Sequence, residues 1–456
     1  MIRQAKLGDF LAKRSRGIVP ASTPDETFEL YSVPAFEGKR PEIVAGGQIG
    51  SNKQIVDPGT VLLCKINPRI NRAWTVGSFT KHQKIASTEW ITFPSHPDVE
   101  PRYLAHYLSR KEIRDYLAGS ASGVGGSLMR VKASTVEDLP LPLPNVDEQR
   151  RIVAEIERQF SRLDEAVANL KRVKANLKRC EAGVLKAAVE GRLVPTEAEV
   201  ALREGRSYES GIQLLDRVLQ ERRRTWIGKG TYSNPERPEV RRLPPLPEGW
   251  AWARLEAVAA LKGGITVDKK RRDPTARPVA YLRVANVQRG YLDLEEVKQI
   301  EAPQADIDEL RLRPGDILFN EGGDRDKLGR GWIWESQIAE CIHQNHVFRA
   351  RPFLPDVSGK LVSWWGNTFG KDYFLREGKQ TTNLASINMT KLSAFPVPLP
   401  PQAEQQRIVA EVDRRLSIVR EVEAEVDANL KRAQALRQAV LARAFSDESE
   451  AVPSPA

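Results

Sequence analysis

Pro140-Leu141-Pro142-Leu143-Pro144-Asn145-Val146-Asp147-Glu148-Gln149-Arg150-Arg151-Ile152-Val153-Ala154-Glu155 returns as Pro396-Val397-Pro398-Leu399-Pro400-Pro401-Gln402-Ala403-Glu404-Gln405-Gln406-Arg407-Ile408-Val409-Ala410-Glu411, with eleven of sixteen positions identical at an offset of 256. Composition bias does not produce such agreement. A period this long marks two copies of a domain-sized unit rather than a solenoid. Prolines alternating with leucines remove backbone donors and disfavour helix at the preceding residue, so each copy predicts an extended lead into a helix start.

The offset holds elsewhere. Pro58-Gly59-Thr60-Val61-Leu62-Leu63 falls on Pro314-Gly315-Asp316-Ile317-Leu318-Phe319, a turn followed by a short apolar run that predicts a buried strand. Val184-Leu185 falls on Val440-Leu441, and Ala188 on Ala444. The expected order is a globular segment (1–140), a long helix (141–194), a basic linker with one helix near Ile212–Trp226 (195–246), a second globular segment (247–396), a second long helix (397–446) and a disordered acidic tail (447–456). Both globular segments predict mixed strand and helix.

Between Asp147 and Glu190 there is no proline, and apolar residues recur at Ile152, Ile156, Phe160, Leu163, Val167, Leu170, Leu177 and Val184. Steps of three and four over this length describe a coiled-coil seam. At 1.5 Å per residue the helix is about 65 Å long. The second copy repeats the register with Val412, Leu416, Val419, Val426, Leu430, Ala433, Leu436 and Val440, while Lys174, Glu181 and Glu423 interrupt the seams. Two seams of equal phase separated by a globular segment predict an antiparallel coiled coil. The fold class is therefore α+β, with two mixed α/β domains joined and separated by two long helices in a pseudo-twofold repeat.

Three cysteines far apart, Cys64, Cys180 and Cys341, suggest neither a disulfide framework nor a zinc cluster. The start of the chain has no apolar run behind a basic segment, and no stretch approaches the roughly 20 apolar residues of a membrane span, so a cytoplasmic protein is expected. A net charge of +10 favours an anionic partner. In the first globular segment Lys65, Asn67, Arg69, Asn71 and Arg72, then Lys81, Gln83 and Lys84, follow the Pro-Gly strand; in the second, Asn320, Arg325, Lys327 and Arg330, then Gln344, Asn345 and His346, do so. These side chains suit base edges and phosphates, and they are the candidate DNA contacts.

Catalytic patterns are weak by contrast. Pro24-Asp25 with Glu37-Gly38-Lys39 fits a loose nuclease pattern that the second copy does not supply. There is no phosphate loop, Asn67-Pro68-Arg69 lacks what an adenine methyltransferase motif requires, and the histidines are not spaced as metal ligands, although Cys341, His343 and His346 lie close in sequence. No catalytic residue and no metal site is expected in the chain.

Two differing globular segments, each leading through Pro-x-Pro-Leu-Pro into Glu-Gln-x-Arg-Ile-Val-Ala-Glu and a long helix, resemble the specificity subunit of type I restriction-modification systems. Leu246-Pro247-Glu248-Gly249-Trp250 resembles the usual start of that family's second recognition domain. The resemblance implies a non-catalytic, DNA-reading protein in which each domain reads half of a bipartite, asymmetric, adenine-containing target on double-stranded DNA. It further implies that the helices act as a ruler and dock two methyltransferase subunits, with restriction subunits joining through these. S-adenosylmethionine, Mg²⁺ and ATP would be used by the partners and none by this chain. The competing class is a coiled-coil scaffold that bridges two proteins without reading sequence.

Overall fold

The computed structural model describes residues 3–121, 129–227, 230–267, 273–323, 328–377, 379–380 and 385–446; the acidic tail and the candidates Arg325 and Lys327 lie outside them. The chain divides into two compact units, Met1–Lys174 with Ala424–Ala456, and Ala175–Glu423. Each unit combines one globular segment with parts of both long helices, Val146–Val189 and Gln402–Phe445.

The repeated prolines form a strand in each unit. Arg3–Lys6 pairs antiparallel with Pro140–Leu143, and Ala251–Arg254 pairs with Pro396–Leu399 in the same way. A proline has no N–H to give to a ladder, so such a strand suits a sheet edge. Side chains take the proline carbonyls instead: the Tyr103 and Tyr107 hydroxyls donate to Pro142 and Pro140 at 2.7 and 2.6 Å, and Trp365 Nε1 donates to Pro396 at 2.7 Å.

The repeated spacing from proline to Glu-Gln closes the corner between strand and helix. Gln149 Nε2 donates to the carbonyls of Pro144 and Asp98 at 2.8 Å, and its Oε1 accepts the Glu100 N–H at 2.8 Å. Its counterpart Gln405 donates to the Pro400 carbonyl and accepts the Ser358 N–H, both at 2.8 Å. Both glutamines are buried. The neighbouring repeated Glu behaves differently in the two units: Glu148 pairs with Arg151 at the surface, whereas buried Glu404 accepts from Trp250 Nε1 and the Glu197 N–H at 2.8 Å.

The Pro-Gly turns are also equivalent. Gly59 and Gly315 have φ of +83° and +88°, a region open to glycine and costly for other residues. The Gly59 N–H donates to Val76 and the Gly315 N–H to Trp334, each at 2.8 Å. The following strands, Val61–Cys64 and Ile317–Asn320, are fully buried and pair antiparallel on both sides, with Ala73–Thr75 and Trp90–Phe93 in one unit and Gly331–Ile333 and Val347–Pro352 in the other. Each unit also has a parallel strand pair, Thr27–Tyr31 with Gln83–Ser87 and Arg277–Leu282 with Cys341–His343. Around this shared frame the sheets differ. The first unit extends its parallel pair to five strands and the second to three.

In the first unit the two long helices run antiparallel: Asp164 pairs with Arg437 at 2.9 Å and Lys174 with Asp427 at 2.6 Å, so an advance of ten residues on one helix matches a retreat of ten on the other. Ile156, Val426 and Val440 are buried there, and Phe160, Leu163, Val167, Leu170 and Leu430 are half-buried. In the second unit Val412, Leu416 and Val419 are buried and Leu177 is half-buried. Lys174, a polar break in the apolar pattern, is thus satisfied across the helix pair. Leu436 departs from the expected seam and is 51% exposed.

The described part of the linker contains two α-helices rather than one. Glu197–Glu204 begins with a Thr196–Glu199 capping box and ends at Gly205, and Gly211–Arg224 begins with a Ser210–Gln213 box. The first is too short for apolar periodicity to reveal it, and its cap was the available signal. Arg407 donates to Glu197 at 2.6 Å, which ties this helix to the start of the second long helix.

Candidate nucleic-acid interface

In the first unit the backbone turns sharply after Val61–Cys64. Asn67 and Asn71 are left-handed, at φ 48° and 49°, on either side of the short 3-10 turn Pro68–Ile70. Asparagine tolerates this conformation better than most residues. Lys65 Nζ donates to the Thr88 carbonyl at 2.7 Å, its N–H donates to Glu89, and the Asn67 N–H donates to Met129. Arg69 is left exposed at the tip, with Lys65 and Asn67 half-buried below it. Asn71 has a structural role: its Nδ2 donates to the carbonyls of Leu108 and Arg110 at the end of a helix, at 2.9 and 3.3 Å. Arg72 is mostly covered and lies 3.6 Å from Glu37.

Lys81, Gln83 and Lys84 are not brought to that cluster. The strand Gln83–Ser87 begins at Gln83 and ends beside Thr88 and Glu89, so about 13 Å of strand separates the two groups. A buried carboxylate organises the loop carrying Lys81. Glu29 is fully buried and accepts from the Thr80 N–H at 2.8 Å, the Thr80 hydroxyl at 2.7 Å and the Tyr31 hydroxyl at 2.8 Å. Burial alone would raise its carboxyl; the hydrogen bonds from Thr80 and Tyr31 and the charge of Lys84 outweigh it and hold the group below its ordinary value. Lys84 is itself buried, 3.5 Å from Glu29, so this candidate faces the interior and stabilises the loop from within. Lys81 and Gln83 are exposed on the outer side.

In the second unit the candidates converge at the end of Ile317–Asn320. Asn320 is fully buried and donates to the carbonyls of Val284 and Val287 at 3.3 and 2.9 Å, so it holds a neighbouring loop and does not face outward. Arg330, whose carbonyl accepts the Asn320 N–H, donates through Nη1 to Gln288 Oε1 at 2.8 Å. Gln344, Asn345 and His346 form the turn between the strands Cys341–His343 and Val347–Pro352, and His346 lies 2.5 Å from Glu321. Gln288 and Glu321 therefore join a site the sequence did not assign to them. Arg130 does the same in the first unit: it meets Ile66 in a strand bridge and lies 3.2 Å from Glu89. Long-range pairing brings it there, and no local motif marks it.

The alternatives from catalysis have other roles. Lys39 lies over the Phe36 ring at 3.2 Å, and Glu37 faces Arg72. His343 is fully buried with Nδ1 2.6 Å from the Val347 carbonyl, and burial pushes its pKa down to about 4 and that of Cys341 up to about 12. Among the described residues no three His, Cys, Asp or Glu side chains are grouped to hold a metal ion. No helix among them is long and apolar enough to cross a membrane.

No family model matches the chain. It is 21% identical over 348 residues to the specificity subunit of the type I restriction enzyme EcoKI of Escherichia coli K12, an alignment covering 76% of this chain and 65% of that one. The chain spans just under two thirds of the length of this relative and of a second, the StySPI specificity subunit of Salmonella potsdam. Its fold is similar to a chain solved in work on complex assembly and conformational transition of the type I restriction-modification system, with a TM-score of 0.69 and 20% identity over 97% of both chains. It is also similar to the crystal structure of the HsdS subunit of Thermoanaerobacter tengcongensis, with a TM-score of 0.52 and 20% identity over 98% of this chain and 97% of that one.

Proposed function

We propose that the chain, which is similar to specificity subunits of type I restriction enzymes in sequence and fold, reads DNA for a type I restriction-modification complex and performs no chemistry itself. Each globular domain reads one half of a bipartite, asymmetric target. The observation that carries this reading is a shared frame with different contents: the glutamine clasps and Pro-Gly strands match, while the loops beyond them present Arg69, Lys81 and Gln83 in one unit and Gln344, Asn345 and His346 in the other. Amide and guanidinium groups on rigid turns suit base edges, and lysines suit phosphates.

Two methyltransferase subunits dock on the helices, and restriction subunits join through them. In the first unit an apolar groove of about 840 Å³ runs between the long helices, lined by Leu163, Leu170 and Val173 on one and Ala433, Leu436 and Ala439 on the other. The exposed Leu436 and Val173 suit the apolar face of a partner helix laid in the groove. S-adenosylmethionine, Mg²⁺ and ATP act in the partner subunits, and the complex works in the cytoplasm.

The test is reconstitution with cognate methyltransferase subunits followed by mapping of methylated adenines. A single gapped motif is expected, and replacing residues 1–139 should change only one half of it. Scattered methylation, or a motif unchanged by the replacement, refutes sequence reading by separate domains. Cleavage of DNA by the isolated chain in Mg²⁺ refutes the non-catalytic assignment.

A further inference from the structure

Residues 222–242 of the linker hold seven Lys and Arg against two Glu, a net of +5 and half of the chain's +10. The attraction of a helix C-terminus for cations accounts for Arg222, Arg223 and Arg224 in the last turn of Gly211–Arg224. It does not account for Arg237, Arg241 and Arg242, which follow in non-helical and 3-10 backbone. Two nearby acids are already engaged, Glu221 with Arg224 and Glu236 with Arg254, each at 2.7 Å. Arg222, Arg223, Arg237, Arg241 and Arg242 make no ion pair with any described residue.

Arg222 is held in place. Its Nε donates to the Glu256 carbonyl at 3.1 Å and its Nη1 to the Ser233 carbonyl at 3.4 Å. Its guanidinium lies 5.5 Å from the Trp226 ring, 5.2 Å from Tyr232 and 6.0 Å from Phe353. Trp226 and Tyr232 meet edge to face at 5.6 Å, and Arg223 approaches the same tyrosine at 6.0 Å. Stacking on rings fixes guanidinium groups before any ligand arrives, so less side-chain freedom is lost when they bind.

We propose that this arginine segment binds the phosphate backbone of double-stranded DNA without regard to base sequence, an anchor separate from the two reading domains. The proposal rests on the DNA-reading function above. A polyanion with one charge per roughly 1.7 Å of axis matches a run of guanidiniums that no carboxylate neutralises, of which Arg223, Arg237, Arg241 and Arg242 keep their forks for phosphate. Fully exposed Ile227 beside the cluster suits a protein partner better, and the test separates the two.

The full chain, assembled with its methyltransferase subunits, is compared with the variant Arg223→Gln/Arg241→Gln/Arg242→Gln; all three side chains are exposed. Binding is measured over about 50 to 200 mM salt on a duplex carrying the mapped target and on one with both half-sites scrambled. The expected result is an equal loss of affinity on both duplexes. The slope of log K against log salt becomes shallower by about 0.9 for each phosphate contact removed, and the methylated motif is unchanged. The Arg→Lys triple variant should keep most of the slope. An unchanged slope on both duplexes, or loss of methyltransferase subunits from the assembly with the slope intact, overturns the proposal. If the wild-type assembly binds both duplexes equally, sequence reading fails, while the slope still decides the anchor.

Discussion

Replacing Glu29 by Gln keeps the shape of a fully buried side chain and removes its charge. Glu29 accepts three hydrogen bonds, two from Thr80 and one from Tyr31, and neutralises buried Lys84 at 3.5 Å. The amide keeps one acceptor oxygen, so the two Thr80 bonds weaken by about 1 kcal/mol each and the Tyr31 hydroxyl must turn to accept from the new NH2, a loss of about 3 kcal/mol in all. Removing one member of a buried ion pair generally costs about 3 to 5 kcal/mol, because the other charge is left without its partner. These are overlapping views of one change, so the expected destabilisation of the first unit is about 3 to 5 kcal/mol. It is read by hydrogen exchange of the Thr80 amide and its neighbours, which reports on this unit without requiring the whole chain to unfold in one step.

The same carboxylate sets a pH dependence. Its folded pKa is lowered below the ordinary 4.5, so the unfolded state takes up the proton first as pH falls. The stabilisation is complete at neutral pH and is lost as pH drops below 4.5 and through the lowered folded value. Glu29→Gln should lack that acid loss while being less stable throughout the neutral range. If residues 1–139 read one half-site, as proposed, the variant in the assembled complex should weaken discrimination in that half and leave the other unchanged. Thr80 protection within about 1 kcal/mol of wild type at neutral pH would show that the charge does not organise the loop, and the reasoning would fail.

Gly59→Ala and Gly315→Ala place a side chain at the same positive φ, at a cost of about 1 to 2 kcal/mol each. Gly59→Ala should cost more, because its added carbon meets the Ser95 side chain at 3.3 Å while Gly315 has open space; separate denaturation of the two units measures the difference. Gln405→Leu leaves the Ser358 N–H without its partner in a buried corner and should cost about 2 to 4 kcal/mol, with amide protection lost around residue 358; unchanged protection there would refute the clasp. Leu436→Glu alters a side chain that is 51% exposed, so the chain should stay folded by circular dichroism while its affinity for a methyltransferase subunit falls at least tenfold. Binding unchanged by Leu436→Glu removes the groove from the docking surface.

What could be read from the chain follows how local its causes are. A proline at alternate positions removes donors wherever the chain folds, a glycine after proline favours a turn with positive φ, and apolar steps of three and four describe a helix face. The edge strands, Pro-Gly turns and long helices were therefore legible. Among the candidate contacts, exposure could be read only where it follows from a loop's own geometry, as at Arg69, Lys81 and His346. Asn320 and Lys84 have the same chemistry as those residues and lie inward, because Val284, Val287 and Glu29, distant in sequence, supply the partners that make burial favourable. Arg130 enters by the converse route, through a strand bridge to Ile66. Residue type tells what a side chain can bind, whereas long-range pairing decides whether it binds the protein itself or remains available to a ligand. The frame repeats because its partners repeat, Gln149 with Pro144 and Gln405 with Pro400. The loops between follow no shared set of partners, and under the proposed function that independence would let each domain acquire its own specificity while the corner that presents it stays the same.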